Sequence, residues 1–324
     1  MSTETISGRA GIDTHSLRAR MITIALLVAM VVSLLLAVPG LSSVRRDIDH
    51  MGPGWLALAI AFELASCSSF VVIFRRFFAT IPARPARELA WTEMGSGALL
   101  PGGGVGSLAV GGWLLHLAGM PTKQIIRRSS GLFFLTSAVN VTALIGGGVL
   151  LATRLSAGDH DVWLAGLPIV AGLLVSTFVL ALPSLARGRS SDSQSKSWAG
   201  ALVDGIIEAK HALRYPSWRL IGAIGYLGFD IAVLWAALSA VGYSAPIAVL
   251  VLGYIVGYLA NLIPVPGAVG VLEGGLAGTL ILYGAPAAEA AAGVLIYHAI
   301  AFWIPSLGGL FSYRQIRREL ANGG

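Results

Sequence analysis

Long apolar stretches, separated by short polar or charged segments, run along most of the chain. A helix needs roughly 20 residues to cross about 30 Å of hydrocarbon, and the full stretches reach that length. Lipid cannot satisfy backbone hydrogen bonds, so these stretches predict α-helices. The pattern predicts six full transmembrane helices, at residues 21–40, 54–74, 131–152, 162–183, 217–241 and 288–311.

Two further apolar regions differ, because proline and glycine interrupt each one midway. They cover residues 91–118, broken after Pro101, and residues 246–285, broken around Pro264. The arms on either side have about 11 to 18 residues, which is short for a crossing. Non-helical backbone at membrane depth is tolerated only beside protein or a water-filled cavity. Each region is therefore predicted to be a re-entrant broken hairpin that faces a cavity, and a pair of short spans is the alternative.

The composition supports a membrane protein and argues against a soluble domain. Of 324 residues, 56% are hydrophobic and only 12% are charged, whereas soluble domains carry about 25% charged residues. The mean hydropathy is +0.78. The net charge of +6 comes from basic residues beside apolar stretches, which indicates membrane topology and not nucleic-acid binding. The single cysteine, Cys67, is predicted to be a packing residue.

The basic residues also predict an orientation. If both hairpins return to the side they entered, then of 22 Lys and Arg residues only Arg45, Arg46 and Arg154 lie outside. This bias is typical of a multi-pass protein of the cytoplasmic (inner) membrane with both termini in the cytoplasm. Paired spans would keep the same parity, so the charges do not separate the two interpretations.

The predicted organisation is an all-α integral membrane protein with two halves. A polar segment between the halves is predicted to be a cytoplasmic linker that ends in an amphipathic surface helix. The predicted parts are a cytoplasmic N-terminal tail (1–20), a single membrane domain (21–311) with repeat 1 (about 54–152), the linker (184–216) and repeat 2 (about 217–311), and a cytoplasmic C-terminal tail (312–324).

The two halves show weak internal similarity. The segment that begins at Leu100-Pro101 resembles the one that begins at Ile263-Pro264, about 164 residues later. Glu63 falls opposite Asp230, each preceded by phenylalanine. In the predicted topology the copies are inverted, as in transporters with a site near the bilayer midplane. Chance recurrence among 41 glycines is the alternative.

A pattern in the second hairpin and in the following helix matches a known family. The matching residues are Pro266, Gly267, Gly270 and Glu273 in the hairpin and Tyr297, Phe302, Trp303 and Pro305 in the helix. In these residues the chain resembles the membrane region of lysylphosphatidylglycerol synthase/flippases. The resemblance implies a flippase-like membrane fold. The first hairpin lacks the acid and arginine of the family pattern after Pro101, so the resemblance does not imply which head group is moved.

The chain is expected to be a stand-alone member without the synthase domain, and not an enzyme. Its sequence carries no recognisable catalytic constellation, nucleotide-binding loop or metal-ligand cluster. We therefore expect no cofactor and no metal.

Candidate site residues cluster around the two breaks. Glu273 lies near the start of a helix, where the dipole favours negative charge, and an ionisable group at membrane depth indicates function. Glu63 and Asp230 are proton-coupling candidates, with neutral packing as the alternative. The predicted substrate-binding residues are Glu273, Asn261, Pro264, Pro266, Gly267, Gly270, Pro101, Gly103, Gly106, Tyr258, Tyr297, His298 and Trp303.

These features predict a flippase-like transporter that moves a phospholipid or lipid-linked head group through a midplane cavity between the hairpins. The expected partner is an anionic phospholipid or a lipid-linked intermediate, and not nucleic acid. Two alternatives stay open: a proton-coupled transporter of small solutes, and a non-transporting partner of a lipid-modifying or glycosyl-transferring enzyme. A homo-oligomer is also compatible with the sequence.

Overall fold

The computed structural model describes residues 53–100, 104–153, 162–187, 198–262 and 270–322. These residues form ten α-helices and two short 3-10 turns, and no strand occurs among them. The helices are α1 (Pro53–Phe77), α2 (Ala83–Leu99), α3 (Gly104–Leu117), α4 (Thr122–Ala152), α5 (Val162–Arg187), α6 (Trp198–Arg214), α7 (Ile221–Ala240), α8 (Ile247–Tyr258), α9 (Val271–Leu282) and α10 (Ala287–Asn322). The 3-10 turns are Trp218–Leu220 and Leu259–Leu262.

Five of the predicted transmembrane helices are confirmed as helices long and apolar enough to cross a membrane. The sixth prediction, 21–40, lies outside the described residues. The confirmed spans are Pro53–Phe77, Thr122–Ala152, Val162–Ser184, Trp218–Ala240 and Ala287–Glu319.

Four of these helices are longer than predicted, α1 and α5 by a few residues and α4 and α10 by two turns or more. Helix α4 begins at Thr122 and not at residue 131, because the extended backbone of Pro121 precedes a basic but helix-compatible stretch. Helix α10 continues past residue 311 to Asn322.

Both predicted interruptions are present in the described residues. Helix α2 ends at Leu99 with Leu100 in an extended conformation, and α3 begins at Gly104. In the second region α8 is followed by the 3-10 turn Leu259–Leu262, and α9 begins after Gly270, whose φ of +88° is not helical. We call α2 with α3 the first broken pair and α8 with α9 the second broken pair. Their arms have 17, 14, 12 and 12 residues. At 1.5 Å per residue each arm is about 18 to 25 Å long, less than the hydrocarbon thickness.

Glycine brings the arms of the second broken pair together. Gly253 of α8 packs against Leu280 of α9, and Gly257 packs against the backbone of Leu276. These contacts show that the two arms run antiparallel. Small residues allow such close approach between helices in an apolar environment. The break therefore folds the chain back on itself.

Contacts between side chains also fix the direction of the long helices. Helices α1 and α7 are antiparallel, since Trp55 contacts Trp235 near one end and the Arg219 guanidinium donates to the Arg75 carbonyl oxygen (3.2 Å) at the other. Helices α2 and α10 are antiparallel as well, and Arg84 pairs with Glu319 at 3.2 Å.

Several basic residues meet at one end of the bundle, which we call the basic end. It contains the C-terminal ends of α1 and α10 and the N-terminal ends of α2, α4 and α7. Its defining residues are Arg75, Arg84, Arg127, Arg128 and Arg219, joined by contacts such as the Arg128 guanidinium donating to Thr80 (3.1 Å). The first broken pair starts and finishes at the basic end, and the second starts and finishes at the opposite end.

Helix packing in the first half has a counterpart in the second. In the first half, α1 and α2 both pack on α10. In the second half, the corresponding helices α7 and α8 both pack on α4. Helices α5 and α6 lie outside this scheme and pack on α4, where Gly205 of α6 lies directly against Ser130. The arrangement places both broken pairs around one centre.

Candidate functional site

A polar cavity of about 320 Å³, which we call the central chamber, lies between the two broken pairs. Its walls come from α1, α2, α3, α4, α7, α8, α9 and α10. Both breaks contribute, since Leu100 ends α2 and Leu272 lies in the first turn of α9. The ionisable side chains in its wall are Glu63, Glu93, Asp230 and His298, and the hydroxyl groups are those of Ser66, Ser107, Ser129, Thr136, Tyr226, Tyr258 and Tyr297.

Asp230 of α7 is held by two tyrosines from neighbouring helices. The Tyr297 hydroxyl of α10 donates to Oδ1 at 3.0 Å, and the Tyr254 hydroxyl of α8 donates to Oδ2. The two tyrosine rings meet edge to face with centroids 6.1 Å apart. Hydrogen bonds that donate to a carboxylate stabilise its charged form. The arrangement therefore presents Asp230 to the chamber as a hydrogen-bond acceptor with both oxygens occupied.

Glu63 of α1 lies in the same chamber but is less well satisfied. Its side chain is buried, with 5% exposure for the residue. The Cys67 thiol donates to Oε1 with an S···O distance of 3.5 Å, whereas Oε2 has no hydrogen-bond partner among the described residues. The preceding Phe62 stacks on Phe229 with centroids 6.2 Å apart. Residues predicted to be equivalent in the two halves thus face each other.

Glu273 occupies the first turn of α9, where the sequence places it. Its Oε2 accepts a hydrogen bond from the backbone N–H of Gly270, which has φ +88°. Its Oε1 lies 3.4 Å from Nε2 of His298 on α10. His298 lines the chamber, whereas Glu273 does not. Glu273 therefore contacts His298 and holds it in place without lining the chamber itself.

The structure separates the other predicted site residues. Tyr258 and Tyr297 line the chamber, and Gly106 is half-buried in the first turn of α3. Trp303 does not line the chamber: it is 58% exposed and packs edge to face on Phe302. Asn261 lies in the 3-10 turn after α8, and its side chain is outside the described part. Pro101, Gly103, Pro264, Pro266 and Gly267 also lie outside the described residues, so their roles stay predictions.

Glu93 of α2 is a chamber residue that the sequence analysis missed. Its side chain is buried. A Cβ atom added to Gly111 of α3 would lie only 2.6 Å from Oε2 of Glu93, so the carboxyl group packs directly against this glycine. The family pattern has its acid after Pro101, whereas the first broken pair of this chain has one before the break. Glu93 is ionisable and lies inside the predicted hairpin 91–118. An ionisable residue at membrane depth indicates function, and this criterion alone would have identified Glu93 as a candidate.

The charges of the chamber restrict what it can hold. Its described wall contains three carboxyl groups and no lysine or arginine. Buried charges require a compensating partner, so the chamber favours a proton or a positively charged group. The hydroxyl groups provide both donors and acceptors. No group of three or more His, Cys, Asp or Glu among the described residues is arranged to hold a metal ion.

Comparison with models of protein families identifies a family that matches most of the chain. The family model described as "Lysylphosphatidylglycerol synthase TM region" matches residues 21–309. No curated protein matches the chain at a significant level. Together with the apolar helices, the match makes the chain a multi-pass membrane protein of a family linked to lipid handling.

Proposed function

The chain belongs to the lysylphosphatidylglycerol synthase transmembrane-region family, and we propose that it is a flippase-like transporter, not an enzyme. It moves the head group of a phospholipid or lipid-linked intermediate through the central chamber while the acyl chains stay in lipid. The observation that carries this proposal is a polar chamber lined by the ends of two interrupted helix pairs. Discontinuous helices around a central site are a recurrent feature of transporters.

A lipid is favoured over a small solute by the exposure of part of the chamber wall. Leu100 is 40% exposed and Phe133 is 52% exposed, although both line the chamber. These two side chains therefore reach both the chamber and the outer surface of the bundle, so the wall is thin at this place. The exposed wall between the first broken pair and α4 provides a lateral route for a head group whose tails remain outside.

The proposal includes an inverted repeat with two re-entrant pairs. It is supported by the antiparallel packing of α1 on α7, by the matching helix contacts in the two halves, and by broken pairs that open at opposite ends. In an inverted repeat the two halves can exchange conformations, which opens a central site to alternate sides. We further propose that the basic end and both chain termini face the cytoplasm of an inner membrane.

The charges of the chamber refine the expected lipid. The sequence favours an anionic phospholipid or lipid-linked intermediate, but the described chamber wall has no lysine or arginine to pair with a phosphate and contains the Asp230 carboxylate, which would repel it. We propose a head group that carries an amine next to its phosphate. The amine enters the chamber, and the phosphate stays near helix ends or basic side chains.

The test uses purified protein in liposomes that contain phosphatidylethanolamine labelled on an acyl chain with a fluorescent group. Dithionite added outside reduces the label in the outer leaflet, so the fraction quenched over time reports movement. The wild type is expected to move this lipid faster than it moves labelled phosphatidylglycerol. Glu273→Gln is expected to slow the movement at least tenfold, because His298 loses its anchor.

The matched control is Glu289→Gln, a carboxylate at the start of α10 that lies outside the chamber. It should move lipid at the wild-type rate. Equal rates for wild type and protein-free liposomes would contradict lipid movement. Uptake of a soluble amine without lipid movement would instead support the solute transporter.

A further inference from the structure

Two carboxyl groups from the two halves of the chain share the chamber, and their surroundings differ. We propose that Glu63 and Asp230 together bind one exchangeable proton, that Glu63 carries it, and that Asp230 remains the anion. The coupling of this proton to lipid movement rests on the proposed function. The proton site itself rests only on the geometry.

Asp230 is built to remain ionised. Tyr254 and Tyr297 donate to its two oxygens from α8 and α10. A proton on either oxygen would require one tyrosine hydroxyl to turn away or to become an acceptor. The two phenol donors therefore compensate the negative charge of Asp230 within the chamber.

Glu63 has the opposite environment. The Cys67 thiol, which is a weak donor, bonds to Oε1, and Oε2 is buried without a partner in the described part of the chain. An ionised Glu63 would leave this oxygen uncompensated near a second negative charge. Two nearby carboxylates rarely ionise together, because each disfavours the charge of the other. A proton on Oε2 removes the repulsion and supplies a donor that points into the chamber.

No other described group around the pair can supply the missing positive charge. The titratable groups that face it are Cys67 of α1, Tyr226 of α7, Tyr258 of α8, Tyr297 of α10, Glu93 of α2 and His298 of α10. Thiol and phenol groups are ordinarily neutral near pH 7, and Glu93, as another carboxyl group, cannot supply positive charge. His298 is directed to Glu273. The proton must therefore be on Glu63.

The position of the pair makes the proton suitable for coupling. Glu63 and Asp230 occupy equivalent positions of the two halves, and Phe62 and Phe229 stack beside them. If the halves rock against each other around α1 and α7, the pair becomes accessible from each side in turn. A cationic group that enters the chamber can then replace the proton, which leaves Glu63 as the anion that balances the new charge.

The proton site is tested by infrared difference spectroscopy of the purified protein during a pH titration. A protonated carboxylic acid has a C=O band that disappears on ionisation. We expect the wild type to contain a component of this band that is absent in Glu63→Gln and unchanged in Glu289→Gln. In Asp230→Asn the same component should remain, because Glu63 keeps its carboxyl group.

Two results would overturn the assignment. One is a spectrum of Glu63→Gln identical to that of the wild type. The other is a component that is absent in Asp230→Asn and retained in Glu63→Gln. If Glu63→Gln fails to fold, Tyr297→Phe replaces it: Asp230 then loses one donor, and a second protonated component should appear. An unchanged band in that variant would count against the proposal.

Coupling is measured separately in liposomes with a pH gradient. Wild type and Glu289→Gln should move labelled phosphatidylethanolamine faster with the gradient than without it, whereas Glu63→Gln should show one rate in both conditions. Equal rates of lipid movement by the wild type with and without the gradient would refute the coupling. If no variant moves lipid under any condition, the proposed function fails, and the infrared titration still decides the proton site.

Discussion

Gly270 offers the sharpest test of how the second broken pair holds its shape. Its backbone has φ +88° and ψ −36°, and it precedes the first residue of α9. This conformation lies outside the left-handed helical region that other residues can enter. Gly274 stands one turn further along, inside the helix. A Cβ atom added at either glycine would meet no heavy atom within 4 Å, so neither alanine variant creates a clash.

The expected difference between the two alanine variants follows from backbone conformation alone. Holding alanine in a region that is nearly exclusive to glycine costs about 1–3 kcal/mol. Alanine at the helical position of Gly274 gains about 0.5–1 kcal/mol, because glycine loses more backbone entropy on folding. We therefore expect Gly270→Ala to be less stable than Gly274→Ala by about 1.5–4 kcal/mol, the sum of the two effects.

The assay is unfolding of the purified proteins in mixed micelles by added dodecyl sulfate, followed by tryptophan fluorescence. The free energies of unfolding of the two variants are compared under one set of conditions. The Gly270 backbone N–H also donates to Glu273. If this peptide group rotates to relieve the strain, Glu273 loses the hydrogen bond and no longer holds His298. Lipid movement should then fall in Gly270→Ala as well. Equal stability of the two variants would refute the strained conformation at Gly270.

Three further predictions concern the bundle around the chamber. Gly95→Ala would place a Cβ atom 2.7 Å from the Pro305 carbonyl oxygen, so this variant should lose about 1–3 kcal/mol of stability in the same unfolding assay. The control is Gly146→Ala, whose Cβ atom would meet open space and should cause no such loss. Leu234→Ala removes a side chain with 0% exposure and should cost about 2–5 kcal/mol; a loss below about 1 kcal/mol would mean that α7 is not packed as described. Arg127→Ala breaks a partly exposed ion pair of 3.3 Å to α6 and should cost less than about 1 kcal/mol, and a loss that persists at high salt would contradict an electrostatic origin.

The length and position of the described helices were largely predictable from the sequence. A membrane imposes a length on each crossing and forbids unsatisfied backbone, so the apolar stretches and their proline and glycine breaks carry the information locally. The two interruptions near Leu100 and Leu262 could be predicted from this local information. The place of Glu273 in the first turn of α9 could be predicted as well, because Glu273 follows Gly270 by only three positions.

Helix ends were harder to predict than helix positions. The N-terminal part of α4 and the C-terminal extension of α10 are charged stretches, which no bilayer length limits. Arg84 pairs with Glu319 there, and such a contact between distant segments is absent from any local pattern.

The chemistry of the chamber was decided by tertiary structure. The sequence selected Glu63 and Asp230 by their depth, but it contained no sign that Tyr254 and Tyr297 both donate to Asp230 while one oxygen of Glu63 stays without a partner. A hydrogen bond between helices depends on the rotation of each helix about its own axis, and hydropathy leaves that rotation open in a chain that is apolar on nearly every face. Span length is a property of one segment, whereas a site built from several helices exists only once they pack.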